Sequence, residues 1–379
     1  MLILVLNSWS SSLKYQLFDI KKNKILTKWN VERIWIAWSF LNYEINWKKF
    51  NLKKNFPTHT IAVQTVLDLL LKKHKILKSI KDLSAIGHRV VHGWEIFSKS
   101  VRINSQVIAQ IRKCCELAPL HNPPNLAGIL ACQKLAPSVP QIAVFDTAFH
   151  QTMKPANYIY AIPYKYFSKY KIRRYGFHWT SHQYVYEKFL SSNSTFIIHN
   201  SKLKIITCHI GNGASITAIS SGRVVETSMW MTPIEWLMMW TRSGSIDPGI
   251  IPYIMKKEKL NADQIEKILN NQSWLLWISW ISNDMRDILA GIKKWNPRCK
   301  LALDMYINCI VKYIWAYVSL MNGLDVIILT GWMMEGNAMI RKILISRLAW
   351  LTSSCKVKIV VIPTNEELMI AQETAKIIS

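Results

Sequence analysis

Residues 204–225 read KIITCHIGNGASITAISSGRVV, and they decide the fold once set beside residues 2–18, LILVLNSWSSSLKYQLF. In the later stretch residues 204–208, rich in β-branched side chains, predict a strand. It enters the glycine turn His209-Ile210-Gly211-Asn212-Gly213, and residues 214–219 predict a second strand. Ser221-Gly222 then turns the chain into a third strand at 223–225. In the earlier stretch residues 2–6 are all apolar, residues 7–12 form the small polar turn NSWSSS, and residues 14–18 predict the return strand. A turn of small residues between two strands points backbone N–H groups and hydroxyls at one spot, which suits an anion. Trp9 does not suit that turn, because an indole blocks the close backbone approach a phosphate needs. The repeated order of strand, small turn, strand, polar turn and strand predicts a duplicated α/β architecture, two similar halves with a cleft between them. Ligands then bind where strand ends and turns face that cleft.

Working outward, the apolar spacing after Pro57 predicts a helix over 60–73. Residues 86–90 predict a strand that runs into the turn Val91-His92-Gly93-Trp94. A second helix is expected over 105–117, capped by Ser105. The segment APLHNPPN (118–125) is too rich in proline for a helix, which places His121 on a loop. Residues 141–145 predict a buried strand with Asp146 at its C-terminal end. A later buried strand at 325–330 runs into Gly331, and a last one at 357–362 precedes Pro363-Thr364-Asn365-Glu366 and a terminal helix.

At 379 residues the chain can hold two domains with well-buried cores. Half of it is hydrophobic, which excludes a disordered polymer. No continuous apolar run reaches the ~18 residues of a membrane span, and the apolar start lacks the basic leader of a signal peptide. Seven cysteines without a CxxC pair read as free thiols in a reducing cytoplasm. The net charge of +25 raises nucleic-acid binding, but the lysines fall in scattered pairs such as Lys48-Lys49 and Lys293-Lys294 rather than a basic block. Solvated surface lysine is the expectation, with no nucleic acid and no membrane as partner.

Several polar residues stand at strand ends or in turns: Asn7, Arg89, His121, Asp146, His178, His209, Arg242 and Glu366. Two arginines in polar turns, a carboxylate at a strand end and two small-residue loops are suited to phosphate and carboxylate together. The arginines supply planar bidentate donors, the loops supply N–H cradles, and oxygen side chains suit Mg²⁺.

The segments GHRVVHGWE, LAPLHNPPNL, VFDTAFHQT, IRRYGFHWTSH, CHIGNGAS, TSMWMTPIEWLMMWTRSG, ISNDMRDI and PTNEELMIA resemble the acetate kinase family, in family order and along the whole chain. The resemblance implies a two-domain duplicated ribonuclease H-like fold, that of the actin-like ATPases, with an interdomain cleft. The domains would be 1–148, completed by the C-terminal helix 367–379, and 149–366. It further implies reversible transfer from ATP to acetate, giving acetyl phosphate and ADP, with Mg²⁺ or Mn²⁺, in a cytoplasmic homodimer. Asn7 and Glu366 match the metal-side residues, and Ser10, Ser12 and Lys14 match the first phosphate loop. Arg89 matches the arginine on the acetate carboxylate, with His121 beside it. Asp146 matches the catalytic or orienting aspartate. His178 and Arg242 match groups around the transferring phosphoryl. His209, Ile210, Gly211, Asn212 and Gly213 match the loop on the ATP phosphates. Asp284, Met285 and Arg286 match adenosine contacts, and Trp332, Met333, Met334, Glu335 and Gly336 match a nucleotide loop. A propionate or butyrate kinase of the same superfamily is the near rival, and a non-catalytic nucleotide- or polyanion-binding protein is the distant one.

The chain departs from the family in two ways. In the nucleotide loop Met334 replaces a glycine and Gly336 an asparagine, and the stretch between Arg341 and Val357 is short. The larger departure concerns glycine. Thirteen glycines is about half the usual share of roughly 7%, and the 17 tryptophans outnumber them. Trp9, Trp29, Trp35, Trp94, Trp179, Trp230, Trp236, Trp240, Trp274, Trp277, Trp280, Trp295, Trp315 and Trp332 stand where the family pattern has glycine. Trp38, Trp47 and Trp350 lie outside the alignable segments. No packing pressure exchanges glycine for tryptophan, but one codon connects them. A source that reads UGA as glycine, translated with UGA as tryptophan, produces this pattern.

Overall fold

The computed structural model describes residues 1–8, 11–36, 38–119, 121–194, 202–211, 213–229, 231–232, 237, 242–273 and 275–379. Two compact units share the chain. Unit 1 holds Met1–Gln151, Trp179–Ser181 and Asn365–Ser379, and unit 2 holds Thr152–His178 and His182–Thr364.

Unit 1 is built on the strands β1 (Leu2–Ser8), β2 (Ser12–Asp19), β3 (Lys24–Glu32), β4 (Phe40–Ile45), β5 (Lys48–Lys53), β6 (Leu83–Val90), β7 (Val101–Arg102) and β8 (Gln141–Phe145). Their order across the sheet is β5-β4-β3-β2-β1-β6-β8-β7. β1, β2 and β3 run antiparallel, whereas β1, β6 and β8 run parallel. The parallel strands are near-continuous apolar runs because helices cover both of their faces. Side chains alternate across β1: Leu4 and Leu6 enter one core, and Ile3 and Val5 the other. The first core is closed by the helix His59–Asp68, the second by the terminal helix Glu366–Ile378. The outer strand β5 is polar and carries Lys48, Lys49 and Lys53, which keeps this edge from pairing with another chain.

Unit 2 is built on β9 (Lys204–Ile210), β10 (Ala214–Ser220), β11 (Arg223–Thr227), β12 (Val326–Thr330) and β13 (Lys358–Val361), in the order β11-β10-β9-β12-β13. β9, β10 and β11 are antiparallel, and β9, β12 and β13 are parallel. This repeats β3-β2-β1-β6-β8 strand for strand. The fold is a duplicated ribonuclease H-like α/β fold of the actin-like ATPase type.

The helix Pro297–Met321 is long and apolar enough to cross a membrane by length and composition. Here it buries Ala302, Tyr306, Ile310, Ile314 and Tyr317 and lies against β9 and β10, as a core helix does. Asn296 caps its start and Asn322, left-handed at φ 53°, ends it.

Two local expectations need correction. The helix Ser105–Lys113 is capped by Asn104, whose side chain accepts from Val107 N at 2.9 Å, not by Ser105. The prolines of HNPPN do not forbid a helix; they start one, Asn122–Leu135, with proline in its first turn and His121 at the cap position. Proline fits there because the first N–H groups of a helix need no intrahelical partner.

Candidate active site

In unit 1 the parallel strands deliver polar groups at their C-terminal ends. Asn7 lies near the end of β1, Arg89 near the end of β6, and Asp146 directly after β8. The Arg89 Nε donates to Asp146 Oδ2 at 2.8 Å, Nη2 donates to the same oxygen, and Nη1 donates to Asn7 Oδ1 at 3.1 Å. All three residues are buried. Burial pushes the Arg89 pKa down, but the carboxylates of Asp146, Glu366 and Glu367 outweigh it, and the guanidinium stands above its ordinary value.

Glu366 opens the terminal helix, which Asn365 caps by accepting from Leu368 N at 3.0 Å. Burial raises the Glu366 carboxyl above its ordinary value against the pull of Arg89. Glu367 is raised by burial and then by Glu366 itself. Asp146 Oδ1 is buried with no hydrogen-bond partner. A cluster of carboxylates with an orphaned oxygen and an adjacent amide is a hard-oxygen donor set, and Mg²⁺ fits it. Among the described residues no three of His, Cys, Asp and Glu converge as a protein-only metal cage. An ion held by one or two carboxylates and substrate phosphates has no such requirement.

Two further residues, absent from the sequence-derived set, shape this end of the sheet. Asn125 donates to Ser8 O at 2.6 Å and accepts from Val91 N at 3.0 Å, tying the chain after β1 to the chain after β6. Asn122 accepts from His92 N at 3.0 Å and donates to His92 O at 2.9 Å. Their signal in the sequence was the pair of asparagines flanking the two prolines. Ser12 opens β2, and Lys14, exposed on it, acts on the Glu366 and Glu367 charges. Ser10 lies outside the described residues, as do Trp9 and Asn212.

In unit 2 the turn after β9 is closed by Gly211 N donating to Gly213 O at 3.0 Å. His209, the last residue but one of β9, has its ring centroid 4.4 Å from that of His178. His178 is left-handed, φ 52°, immediately before the helix Trp179–Ser192. A non-glycine residue held there is strained, a feature concentrated at functional sites. Gly331 follows β12 at φ 87°, and a Cβ on it would lie 2.6 Å from Ile210 O. Glu335 Oε1 fixes this corner by accepting from Gly331 N at 2.8 Å, Thr330 Oγ1 at 3.1 Å and Thr364 N at 3.1 Å. Gly331→Ala is therefore expected to cost about 1–3 kcal/mol in strain alone, read as a fall in Tm by circular dichroism. An unchanged Tm would show that the corner relaxes freely.

The departures in this loop are absorbed. The Met333 and Met334 side chains are buried, and Gly336 faces open space. The Trp332 ring lies against the glycine turn, 3.5 Å from where a Gly211 Cβ would stand. Asp284 caps the helix Met285–Lys293 and pairs with the exposed Arg286, while the Met285 side chain is buried. Arg242 is half-buried, and burial pulls its pKa down. The Trp179 indole is buried in the second core of unit 1.

Two sheets of one topology, each opening with an antiparallel strand pair and continuing into parallel strands, place the chain in the actin-like ATPase class of folds. The chain belongs to the acetokinase family, whose profile matches residues 2–355. It is 46% identical to an acetate kinase of Treponema denticola over all of both chains. Among solved structures it is similar to an acetate kinase of Porphyromonas gingivalis, with 42% identity, TM-score 0.91 and full coverage of both chains. A propionate kinase of Francisella tularensis is 39% identical with the same TM-score, covering 99% of each chain.

Proposed function

We propose that the protein transfers the γ-phosphoryl group of ATP to acetate, reversibly, forming acetyl phosphate and ADP. The observation that carries this reading is family membership along the whole chain together with the buried Arg89–Asp146–Asn7 constellation. A carboxylate oxygen of acetate attacks the γ-phosphorus, the bond to the β,γ-bridging oxygen breaks, and its electron pair leaves with ADP. The attacking carboxylate is already ionised at neutral pH, so no strong base is needed. The step asks for alignment and charge neutralisation. Arg89 supplies a fixed positive charge for the acetate carboxylate, beside His121. His178 and Arg242 act on the phosphoryl oxygens, and the turn His209–Gly213 on the ATP phosphates. Asp146 and Glu366, with Asn7, would hold Mg²⁺, or Mn²⁺ in its place, which when bound would supply positive charge against the phosphates. A homodimer belongs to the same reading and is tested by light scattering.

A hydroxamate assay for acetyl phosphate tests the activity. The propionate kinase at 39% identity makes propionate the second reading. One methylene in an apolar pocket is worth only about 1–3 kcal/mol. The kcat/KM values for acetate, propionate and butyrate separate the readings, and a higher value for propionate would replace acetate. Asn7→Ala and Glu366→Ala are expected to raise the Mg²⁺ concentration for half-maximal rate at least about tenfold with a smaller change in acetate KM. Unchanged Mg²⁺ activation in both would remove them from the metal.

We also infer that the source reads UGA as glycine at the tryptophan positions. Of the twelve tryptophans among the described residues, six are left-handed: Trp35, Trp38, Trp47, Trp94, Trp280 and Trp295, with φ between 55° and 72°. That region is routine for glycine and an outlier for a bulky side chain. Trp38, Trp47 and Trp295 are 85%, 90% and 93% exposed, so no burial offsets the strain. The Trp29 and Trp94 indole N–H groups are buried without an acceptor. Trp9, Trp230, Trp236, Trp240 and Trp274 lie outside the described residues. TGA codons at these positions in the source DNA, with glycine in peptides of the native protein, support recoding; TGG overturns it.

A further inference from the structure

Three parallel strands of unit 1 end at the candidate site, and their pairing stops at different places. β6 stays paired with β8 as far as Val90 beside Phe145, and Asp146 N continues that ladder by donating to Val90 O at 2.9 Å. The pairing of β1 with β6 runs as far as Leu6 beside His88. Asn7 and Arg89, joined through their side chains at 3.1 Å, stand one residue past that point. Beyond them the two chains are joined by Asn125. Its Nδ2 donates to Ser8 O at 2.6 Å, and its Oδ1 accepts from Val91 N at 3.0 Å. A side-chain amide has one donating and one accepting end, as a peptide group has, so it can take the place of a ladder bond.

The helix Asn122–Leu135 carries the amide to this place. It lies against β1 and β6. It comes so close to the end of β1 that a Cβ on Gly128 would stand 2.6 Å from Ser8 Oγ. Asn122, one turn earlier, binds both backbone polar groups of His92. The peptide unit between Val90 and Val91, directly downstream of Arg89, is thus held at both ends. Asp146 N holds its carbonyl, and Asn125 holds its N–H. A closed ring of links results. Side chains join Asn7 to Arg89, backbone leads from Arg89 to Val91, Asn125 joins Val91 to Ser8, and backbone returns to Asn7.

We propose that Asn125 is a positioning residue for the phosphoryl transfer: it fixes the spacing of the β1 and β6 ends and so keeps Arg89 in register with Asn7. This rests on the proposed function for the roles of Arg89 and Asn7. In-line transfer depends on alignment, and a displacement of about 1 Å that starts outside the chemistry can cost about 10²-fold in rate. No other side chain of this size reproduces both bonds. Aspartate keeps the acceptor for Val91 N but sets a carboxylate oxygen against the Ser8 carbonyl. Leucine keeps the shape and loses both bonds. Asn125 is buried, so a bond lost there is not replaced freely by water.

Asn125→Asp and Asn125→Leu are each expected to lower kcat/KM for acetate at least about tenfold, with the Kd for ADP by calorimetry within about threefold. In an Asn7→Ala background at saturating Mg²⁺, Arg89 has no Asn7 side chain to be aligned with, and the same changes should cost less than about threefold. Ile129→Val, buried in the same helix, should lower Tm and leave kcat/KM at the parental value. Equal losses in the parent and in the Asn7→Ala background overturn the proposal, because the effect then does not pass through the Asn7–Arg89 pair. A folded Asn125→Leu with parental kcat/KM overturns it too, as does an Ile129→Val that loses as much activity. If neither Asn125 variant folds, hydrogen exchange in the parent decides. The Val91 amide should be protected at least about 100-fold, and a freely exchanging Val91 amide overturns the proposal. A parent that makes no acetyl phosphate would sink the substrate reading instead, and the Val91 exchange would still report whether the bridge forms.

Discussion

Arg89→Ala is expected to lower kcat/KM for acetyl phosphate synthesis by at least about 10²-fold and to lower Tm in the same protein. The kinetic loss follows from removing charge-assisted donors where anionic groups meet. The stability loss follows from the partners left behind. Arg89 is buried against Asp146 Oδ2 and Asn7 Oδ1, and Asp146 Oδ1 already has no hydrogen-bond partner. Taking the guanidinium away strands a buried carboxylate, which typically costs about 3–5 kcal/mol. Arg89→Lys separates the two effects. It keeps a positive charge but cannot reproduce the planar fork that reaches Asp146 and Asn7 at once, so much of the stability should return and most of the rate should not. Steady-state kinetics and circular dichroism on both variants decide the point. Activity within about threefold of the parent in Arg89→Ala would take Arg89 out of the site.

The fold was legible because its two signals are local. The apolar run of β1 and the alternation that follows it recur at β9 and β10, and matching strand–turn–strand units are visible without knowing where they pack. Helix boundaries were less legible. Proline at HNPPN reads as a breaker unless one knows that its missing N–H falls in the first turn, where it costs nothing. The site showed a similar split. Residues at strand ends, such as Asn7, Arg89 and Asp146, could be chosen from position alone. Asn122 and Asn125 could not, because their work is to bind backbone at His92 and Ser8, distant in sequence.

Restoring glycine at Trp35, Trp38, Trp47, Trp94, Trp280 and Trp295 is expected to raise Tm by well over ten degrees and to increase soluble yield, and restoring it at all 17 positions is expected to give the active enzyme. Each bulky residue held at positive φ costs about 1–3 kcal/mol, and the stability of a whole domain is typically only about 5–15 kcal/mol. The six left-handed sites alone can consume most of that margin. They are chosen because their cost comes from backbone, which no side-chain repacking relieves. Trp29 and Trp179 make a different case. The Trp29 ring is buried edge-on to Tyr15 and Tyr43 at centroid distances of 5.3 and 6.3 Å, and Trp179 fills part of the second core. Glycine at either position removes contacts as well as strain, so these two should contribute least to the gain or reverse its sign. Trp332 is the functional test within the set: its ring lies against the glycine turn, so Trp332→Gly should lower the KM for ATP more than it changes Tm. Thermal denaturation and acetyl phosphate synthesis on the all-tryptophan chain, the six-site variant and the 17-site variant give the three comparisons. An all-tryptophan chain as stable and as active as the 17-site variant would overturn the strain argument and the recoding together, because both require that these backbone positions belong to glycine.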